Sequence, residues 1–193
     1  MFQDDYIEIK AILVGCSGVG KTNLINVCLG HKFNEGSDTT NCCSLSQKNV
    51  EIDNIKYLIN LWDTMGQETY KGISKLFFRG SQIVIFVYDI TSENSFKDLE
   101  DWINMANEII TDGYVSGIVG NKNDLFLQAE VAEEDAKQFA KSKNMKFKLV
   151  SAKEDPKSFN DFLVDLVREY KLPDKKEKTV LKKKSTHQKK SFC

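Results

Sequence analysis

Residues 15–22, Gly15-Cys16-Ser17-Gly18-Val19-Gly20-Lys21-Thr22, constrain the fold of this chain more than any other segment. Two glycines separated by four residues and followed by Lys and a hydroxyl residue have the spacing of a loop that cradles phosphates. Such a loop belongs between a strand and a helix. The apolar run over residues 7–14 predicts that strand, and residues 22–29 predict the helix. The glycines let successive N–H groups point inward at phosphate oxygens, and the helix N-terminus adds its partial positive charge. Lys21 is then placed to reach the β- and γ-phosphates, and the Thr22 hydroxyl to ligate Mg²⁺. Ser17, Gly18, Val19, Gly20 and Asn23 complete the candidate phosphate-binding set. The plain alternative is a glycine-rich turn that merely precedes a helix.

A chain of 193 residues suits one domain with a sizeable core. Its hydrophobic and charged fractions, 41% and 28%, are those of a globular protein. No apolar run approaches the roughly 20 residues needed to span a bilayer. The N-terminus has neither the basic region nor the apolar core of a signal peptide. Five scattered cysteines argue for a reducing compartment rather than a disulfide framework. Cys28, His31, Cys42 and Cys43 match no standard zinc spacing. A cytoplasmic protein is expected. Its formal charge of −1 conceals an asymmetry: residues 171–193 carry nine lysines against Asp174 and Glu177, a net +7, which leaves −8 on the rest. An acidic body and a basic tail are two functional objects.

Apolar β-rich runs alternate with amphipathic segments, which predicts an α/β fold with a largely parallel sheet. Strands are expected over residues 44–52 and 55–62, joined as a hairpin about Asp53-Asn54, and over 83–88, 115–120 and 147–150. The unbroken run Ile83-Val84-Ile85-Phe86-Val87-Tyr88 suits a strand buried on both faces. Phe96, Leu99, Trp102, Ile103, Ala106 and Ile110 recur at helical spacing. Further helices are expected over residues 130–143 and, started by Asp155-Pro156, through Tyr170. Pro173 ends that helix, and the lysine-rich remainder is too poor in apolar residues to build a core.

Three further signals each follow a predicted strand. Asp63-Thr64-Met65-Gly66-Gln67-Glu68 offers a carboxylate that can hold Mg²⁺ through water, a glycine N–H for a γ-phosphate, and a Gln that can orient an attacking water. In Asn121-Lys122-Asn123-Asp124, an Asp can accept both N1–H and the exocyclic amine of guanine, a pattern adenine cannot present. After the last strand, a backbone N–H of Ser151-Ala152-Lys153 can read the guanine carbonyl. Taken alone, Asn-Lys-Asn-Asp is also an ordinary polar turn. The order of the four signals, each at a strand's C-terminal end, matches where open α/β sheets bind ligands.

With these motifs the chain resembles the Ras superfamily of small GTPases over about residues 6–172, nearest the Rab branch. The Rab-like wording lies in Trp62-Asp63-Thr64, Phe78-Arg79-Gly80 and Val87-Tyr88-Asp89-Ile90-Thr91, followed by Ser95-Phe96. The resemblance implies a G-domain of the P-loop NTPase type over residues 1–172, with a six-stranded, mostly parallel sheet, one antiparallel strand and helices on both faces. Residues 173–193 would form a disordered tail. Phe33, eleven residues after Thr22, stands where the family sets an aromatic against the guanine base. Thr40, eighteen after Thr22, stands where the switch I threonine closes on Mg²⁺ and the γ-phosphate. Trp62 and Phe77 match two of three aromatics shown to effectors, and Leu45 takes the third place. Tyr88 and Asp89 read as strand-end structure, not ligands.

The chain departs from the family at several positions. Thr40-Asn41-Cys42-Cys43-Ser44-Leu45 replaces the usual switch I wording, so effector identity does not carry over. Met65 stands where alanine is nearly always found. It either slows hydrolysis by crowding the γ-phosphate or packs its thioether outward at no cost. Cys16 is a potential oxidation site in the loop. A single cysteine, Cys193, ends the lysine-rich tail; the family's lipidated relatives carry a different cysteine pattern.

The resemblance implies in-line attack of water on the γ-phosphate of GTP, with GTP/GDP and Mg²⁺ bound. Thr22, Thr40 and Asp63 would hold the metal and Gln67 would position the water. Arg79 and Arg168 are the only arginines, and neither lies in switch I, so slow intrinsic turnover is expected. A partner's arginine could add about 10³–10⁵. Exchange factors, GTPase-activating proteins and effectors are implied partners. One lipid on Cys193 plus the polybasic tail would make a two-signal anchor on an anionic membrane; the alternative is a solvated basic tail. No nucleic-acid partner is expected. The competing functions are a GTP-binding scaffold that scarcely cycles and an ATP-using kinase, the latter opposed by residues 121–124.

Overall fold

The computed structural model describes residues 6–36, 43–64 and 76–170. Six strands form one sheet in the spatial order β2-β3-β1-β4-β5-β6. They are β1 (Ile7–Val14), β2 (Ser44–Ile52), β3 (Ile55–Asp63), β4 (Ile83–Asp89), β5 (Val115–Asn121) and β6 (Lys146–Leu149). β2 runs antiparallel to β3, and every other pairing is parallel. The helices lying wholly within the described residues are α1 (Lys21–Cys28), α2 (Glu93–Lys97), α3 (Leu99–Ile109), α4 (Glu133–Ser142) and α5 (Pro156–Glu169), with a 3₁₀ helix over Asn123–Gln128.

The side-chain period of two in β1 and β4 divides the core. Ile9, Ala11, Leu13, Ile83, Ile85 and Val87 point to one face, where Leu24 and Ile25 of α1 and Phe159, Leu163 and Leu166 of α5 cover them. Ile12, Val14, Val84, Phe86 and Tyr88 point to the other, against Leu99, Trp102 and Ala106 of α3 and Ala136 and Ala140 of α4. All seven residues of β4 are buried, as expected of a strand covered on both faces. Each large aliphatic side chain removed from water in this way contributes about 1.5–3 kcal/mol.

The hairpin forms where its turn residues predict. Asp53 and Asn54 have φ of 52° and 62°, and Ile52 pairs with Ile55 across this two-residue loop. Positive φ at both central residues gives a primed turn whose twist matches the strands. Helix starts differ from the sequence expectation for local reasons. Residues 93–97 are already helical because the Ser92 hydroxyl accepts from Ser95 N–H, a cap that an apolar stripe beginning at Phe96 does not register. The expected helix over residues 96–110 is thus two, meeting at Asp98. At α4 the shift runs the other way. The N–H groups of Glu130 and Val131 both donate to Ile90 O, so the helix begins at Glu133. At α5 the Asp155 carboxylate accepts from Ser158 N–H and Pro156 opens the first turn, as the sequence suggests.

Candidate functional site

The loop after β1 and the segments after β3, β5 and β6 all leave the C-terminal edge of the parallel strands, where the crossover connections open a crevice. Gly20 caps α1 with φ 95° and no side-chain hydrogen bond, so no side chain competes for the first-turn N–H groups of the helix. A Cβ on Gly20 would lie 2.3 Å from Asn121 Nδ2, so the loop approaches the β5 segment as closely as only glycine permits.

Lys21 is 6% exposed, and its ammonium donates to Gly15 O at 2.9 Å and Cys16 O at 2.8 Å. Two of its three hydrogens thus hold the loop closed, and among the described residues the third has no hydrogen-bond partner and can serve an anion. Burial pulls its pKa down to about 8, against the opposing attraction of the Asp63 carboxylate and, more weakly, Cys16 and Cys43. The Thr22 hydroxyl donates to Asp63 Oδ2 at 2.7 Å. Next to it, Thr64 Oγ1 donates to Leu13 O at 2.6 Å, a buried tie between β3's exit and β1 that sequence reading did not single out. A hydroxyl and a buried carboxylate are hard oxygen donors, the set that Mg²⁺ prefers, so the residues present fit that ion.

The two segments expected to read guanine interlock. Asn121, 2% exposed, donates through Nδ2 to Val19 O at 2.8 Å and accepts at Oδ1 from Ala152 N–H at 3.3 Å. Its side chain therefore links the phosphate loop to the segment after β6. Ala152 N–H has to exchange or share that bond to read a guanine carbonyl. Asp124 Oδ1 accepts from Ser151 Oγ at 2.6 Å, which aims the carboxylate. Lys122, at φ 65°, pairs with Asp89 Oδ2 at 2.6 Å, while Asp89 Oδ1 accepts from Thr91 N–H and Oγ1. Asp89 is thus strand-end structure, as expected, but it also orients Lys122.

Phe33 is half-buried against the α1–α5 side of the core. Asn23 turns its side chain onto Asn34, donating through Nδ2 to Asn34 O at 3.0 Å and accepting at Oδ1 from Asn34 N–H at 3.2 Å. Lys153 reaches Glu35 Oε1 at 2.6 Å. Neither Asn34 nor Glu35 is marked by any motif, and only a resemblance at Phe33 points near them. On the outer side of the phosphate loop, a polar cavity of about 380 Å³ lies between Cys16, Ser17, Asp89, Ser92 and Asp98. The half-buried Cys16 thiol donates there to Asp98 Oδ2 at 3.0 Å. Trp62 and Phe77 lie with ring centroids 5.7 Å apart, Leu45 is paired opposite Trp62, and Leu45 and Leu76 are exposed. Thr40, Met65, Gly66, Gln67, Cys42 and Cys193 lie outside the described residues, as does the whole tail. Among the described residues no helix is long and apolar enough to cross a membrane.

A six-stranded α/β sheet with a glycine-rich loop running into a helix, facing a hydroxyl–carboxylate pair, defines the P-loop class of phosphate-binding proteins. Comparison with known proteins narrows this. The Ras family matches residues 10–171. The GTP-binding protein ypt3 of Schizosaccharomyces pombe is 36% identical over 78% of this chain and 71% of its own length. Ras-related protein Rab-11C of Dictyostelium discoideum is 35% identical over 81% and 71%. Human Ras-related protein Rab-30 is 34% identical over 88% and 85%. The chain belongs to the Ras family of small GTPases, in its Rab branch.

Proposed function

We propose that this chain is a GTP/GDP-dependent switch that hydrolyses GTP to GDP and phosphate with slow intrinsic turnover, serving vesicle traffic. The observation that carries the proposal is the Thr22–Asp63 contact of 2.7 Å at the mouth of the phosphate loop. A phosphate cradle alone holds a nucleotide, but a hydroxyl and a carboxylate joined across it supply what a terminal phosphate and its Mg²⁺ require. Lys21 would bind the β- and γ-phosphates, with Ser17, Gly18, Val19 and Gly20 contributing backbone N–H groups. Asp124, aimed by Ser151, would accept from guanine, and Lys122 and Phe33 would flank the base. Thr22, Thr40 and Asp63 would hold Mg²⁺, which neutralises charge on the transferring group. Gly66 would sense the γ-phosphate and Gln67 would orient water. Loss of the γ-phosphate would release Thr40 and Gly66 together, the two-state element of a switch.

Residues 1–172 would act as the G-domain and residues 173–193 as a basic tail at an anionic membrane, on the cytosolic face of an intracellular compartment, with Cys193 as a lipid acceptor. Exchange factors, activating proteins and effectors would be the partners. Met65 and the altered switch I favour a second reading, a GTP-binding scaffold with little hydrolysis.

Nucleotide identity and phosphate release test both. Denaturation of the purified chain should liberate guanine nucleotide; adenine nucleotide would overturn the guanine assignment. Multiple-turnover phosphate release that falls on Gln67→Ala supports the switch. Release no faster than from GTP alone leaves the scaffold.

A further inference from the structure

Residues 33–36 connect two parts of the site that lie far apart in sequence. At one end Asn23, on α1 directly after Thr22 and 7% exposed, closes a pair of reciprocal bonds with the Asn34 backbone at 3.0 and 3.2 Å. At the other end the Glu35 carboxylate pairs at 2.6 Å with Lys153, the residue after Ala152. Between them, Gly36 N–H donates to Asn34 Oδ1 at 3.1 Å, which holds the turn, and Phe33 packs on the core. Resting on the guanine-nucleotide reading above, the segment is tied at one end next to the phosphate loop and at the other next to the segment after β6.

We infer that residues 33–36 form a strap across the nucleotide, latched by Asn23 at the phosphate end and by the Glu35–Lys153 pair at the guanine end, and that these side chains set the rate of nucleotide release. They are positioning residues: Asn23 and Glu35 act through the strap and need not touch the guanine. The two latches differ in kind. The Asn23–Asn34 bonds are between neutral groups, one of them buried. The ion pair is open to water, with its partners' side chains 45% and 75% exposed, so mobile ions screen it. Release therefore has one salt-sensitive step and one salt-insensitive step, a combination that loss of packing alone does not produce.

The test loads the full chain with methylanthraniloyl-GDP and Mg²⁺ and follows fluorescence on chasing with excess GDP. At low salt Glu35→Gln should speed release about two- to fivefold, as for an exposed ion pair. That difference should close as ionic strength approaches about 0.5 M. Glu35→Gln should add nothing in a Lys153→Gln background, because the pair is already broken there. Asn23→Ala should speed release about tenfold at every salt concentration, the loss of two bonds. Wild-type release from Glu35→Gln at low salt, or an equal acceleration with and without Lys153, overturns the inference. Glu35 is an exposed side chain, so this arm does not depend on whether Asn23→Ala folds. A wild-type chain that takes up no fluorescent GDP overturns the guanine reading itself, and the strap with it.

Discussion

The Asn121 side chain donates to Val19 O at 2.8 Å and so joins β5's end to the phosphate loop, 102 residues earlier in the chain. Because its Oδ1 accepts from Ala152 N–H, one buried amide aligns three of the four sequence motifs. Such an amide is worth more for what it leaves unsatisfied when removed than for the bonds it makes. Asn121→Ala should destabilise the fold by about 1–3 kcal/mol, read as a lower urea midpoint at unchanged slope. It should also weaken GDP binding, because the loop loses its tie to the segments after β5 and β6. A midpoint equal to wild type would show that the link carries no free energy.

Lys21 gives the nucleotide-free protein a defined pH response. Burial holds its folded pKa at about 8, below the ordinary 10.5 of the unfolded chain. Between those values the unfolded chain holds a proton that the folded one has shed, so nucleotide-free stability rises with pH across that window. Below about pH 8 both states are protonated and the burial penalty is constant. An arriving phosphate reverses the effect by favouring the ammonium. Calorimetry of GDP binding at about pH 8.8, in two buffers of different ionisation heat, should report net proton uptake that disappears near pH 6.5. Equal apparent enthalpies in both buffers at the higher pH would remove Lys21 from this role.

A stability defect separate from the site is expected at Gly117 on β5, which faces α5. An added Cβ would lie 2.4 Å from Phe162 Cζ and 3.3 Å from Leu166 Cδ2, both in the buried seam of that helix. Phe162 is 4% exposed and its ring has little space to yield. Gly117→Ala should therefore cost about 1–3 kcal/mol by overpacking in chemical denaturation. GDP release should stay within about twofold of wild type, because Gly117 lies four residues before Asn121, inside β5 and away from the strand end that carries the candidate site. Wild-type stability would mean that α5 shifts to accept the methyl.

The glycine-rich loop between β1 and α1 and the hairpin at Asp53-Asn54 were legible in the sequence, because each depends on local backbone demands written as short spacings. Strand order was not legible, since apolar runs do not declare their neighbours. The hidden contacts of the site share one property: a polar side chain with a distant partner. Glu35 and Lys153 are 118 positions apart, and neither residue type signals the other. Asn121 read as a base-binding residue, yet its side chain is engaged by Val19 and Ala152, a double role visible only once three loops are in space. The starts of α2 and α4 differ from expectation for another reason. The Ser92 hydroxyl and the Ile90 carbonyl decide them, and hydrophobic periodicity is blind to both.

On the proposed guanine reading, Asp124 would carry base specificity, and the hydrogen-bond pattern makes its test a reversal rather than a loss. A carboxylate accepts from guanine N1–H and from the exocyclic amine, and Ser151 Oγ at 2.6 Å holds Oδ1 in place. In Asp124→Asn one acceptor becomes an N–H donor that opposes the guanine amine, while the Ser151 bond to the remaining oxygen can persist. Xanthine carries a carbonyl where guanine has that amine, so its pattern matches the altered side chain. Hydrogen bonds to a charged partner are worth about 1.5–3 kcal/mol each, so GDP affinity should fall about a hundredfold or more. Xanthosine diphosphate should then displace fluorescent nucleotide from the variant more effectively than GDP does, the reverse of the wild-type order. If GDP remains the better competitor for the variant, the base is read somewhere other than Asp124.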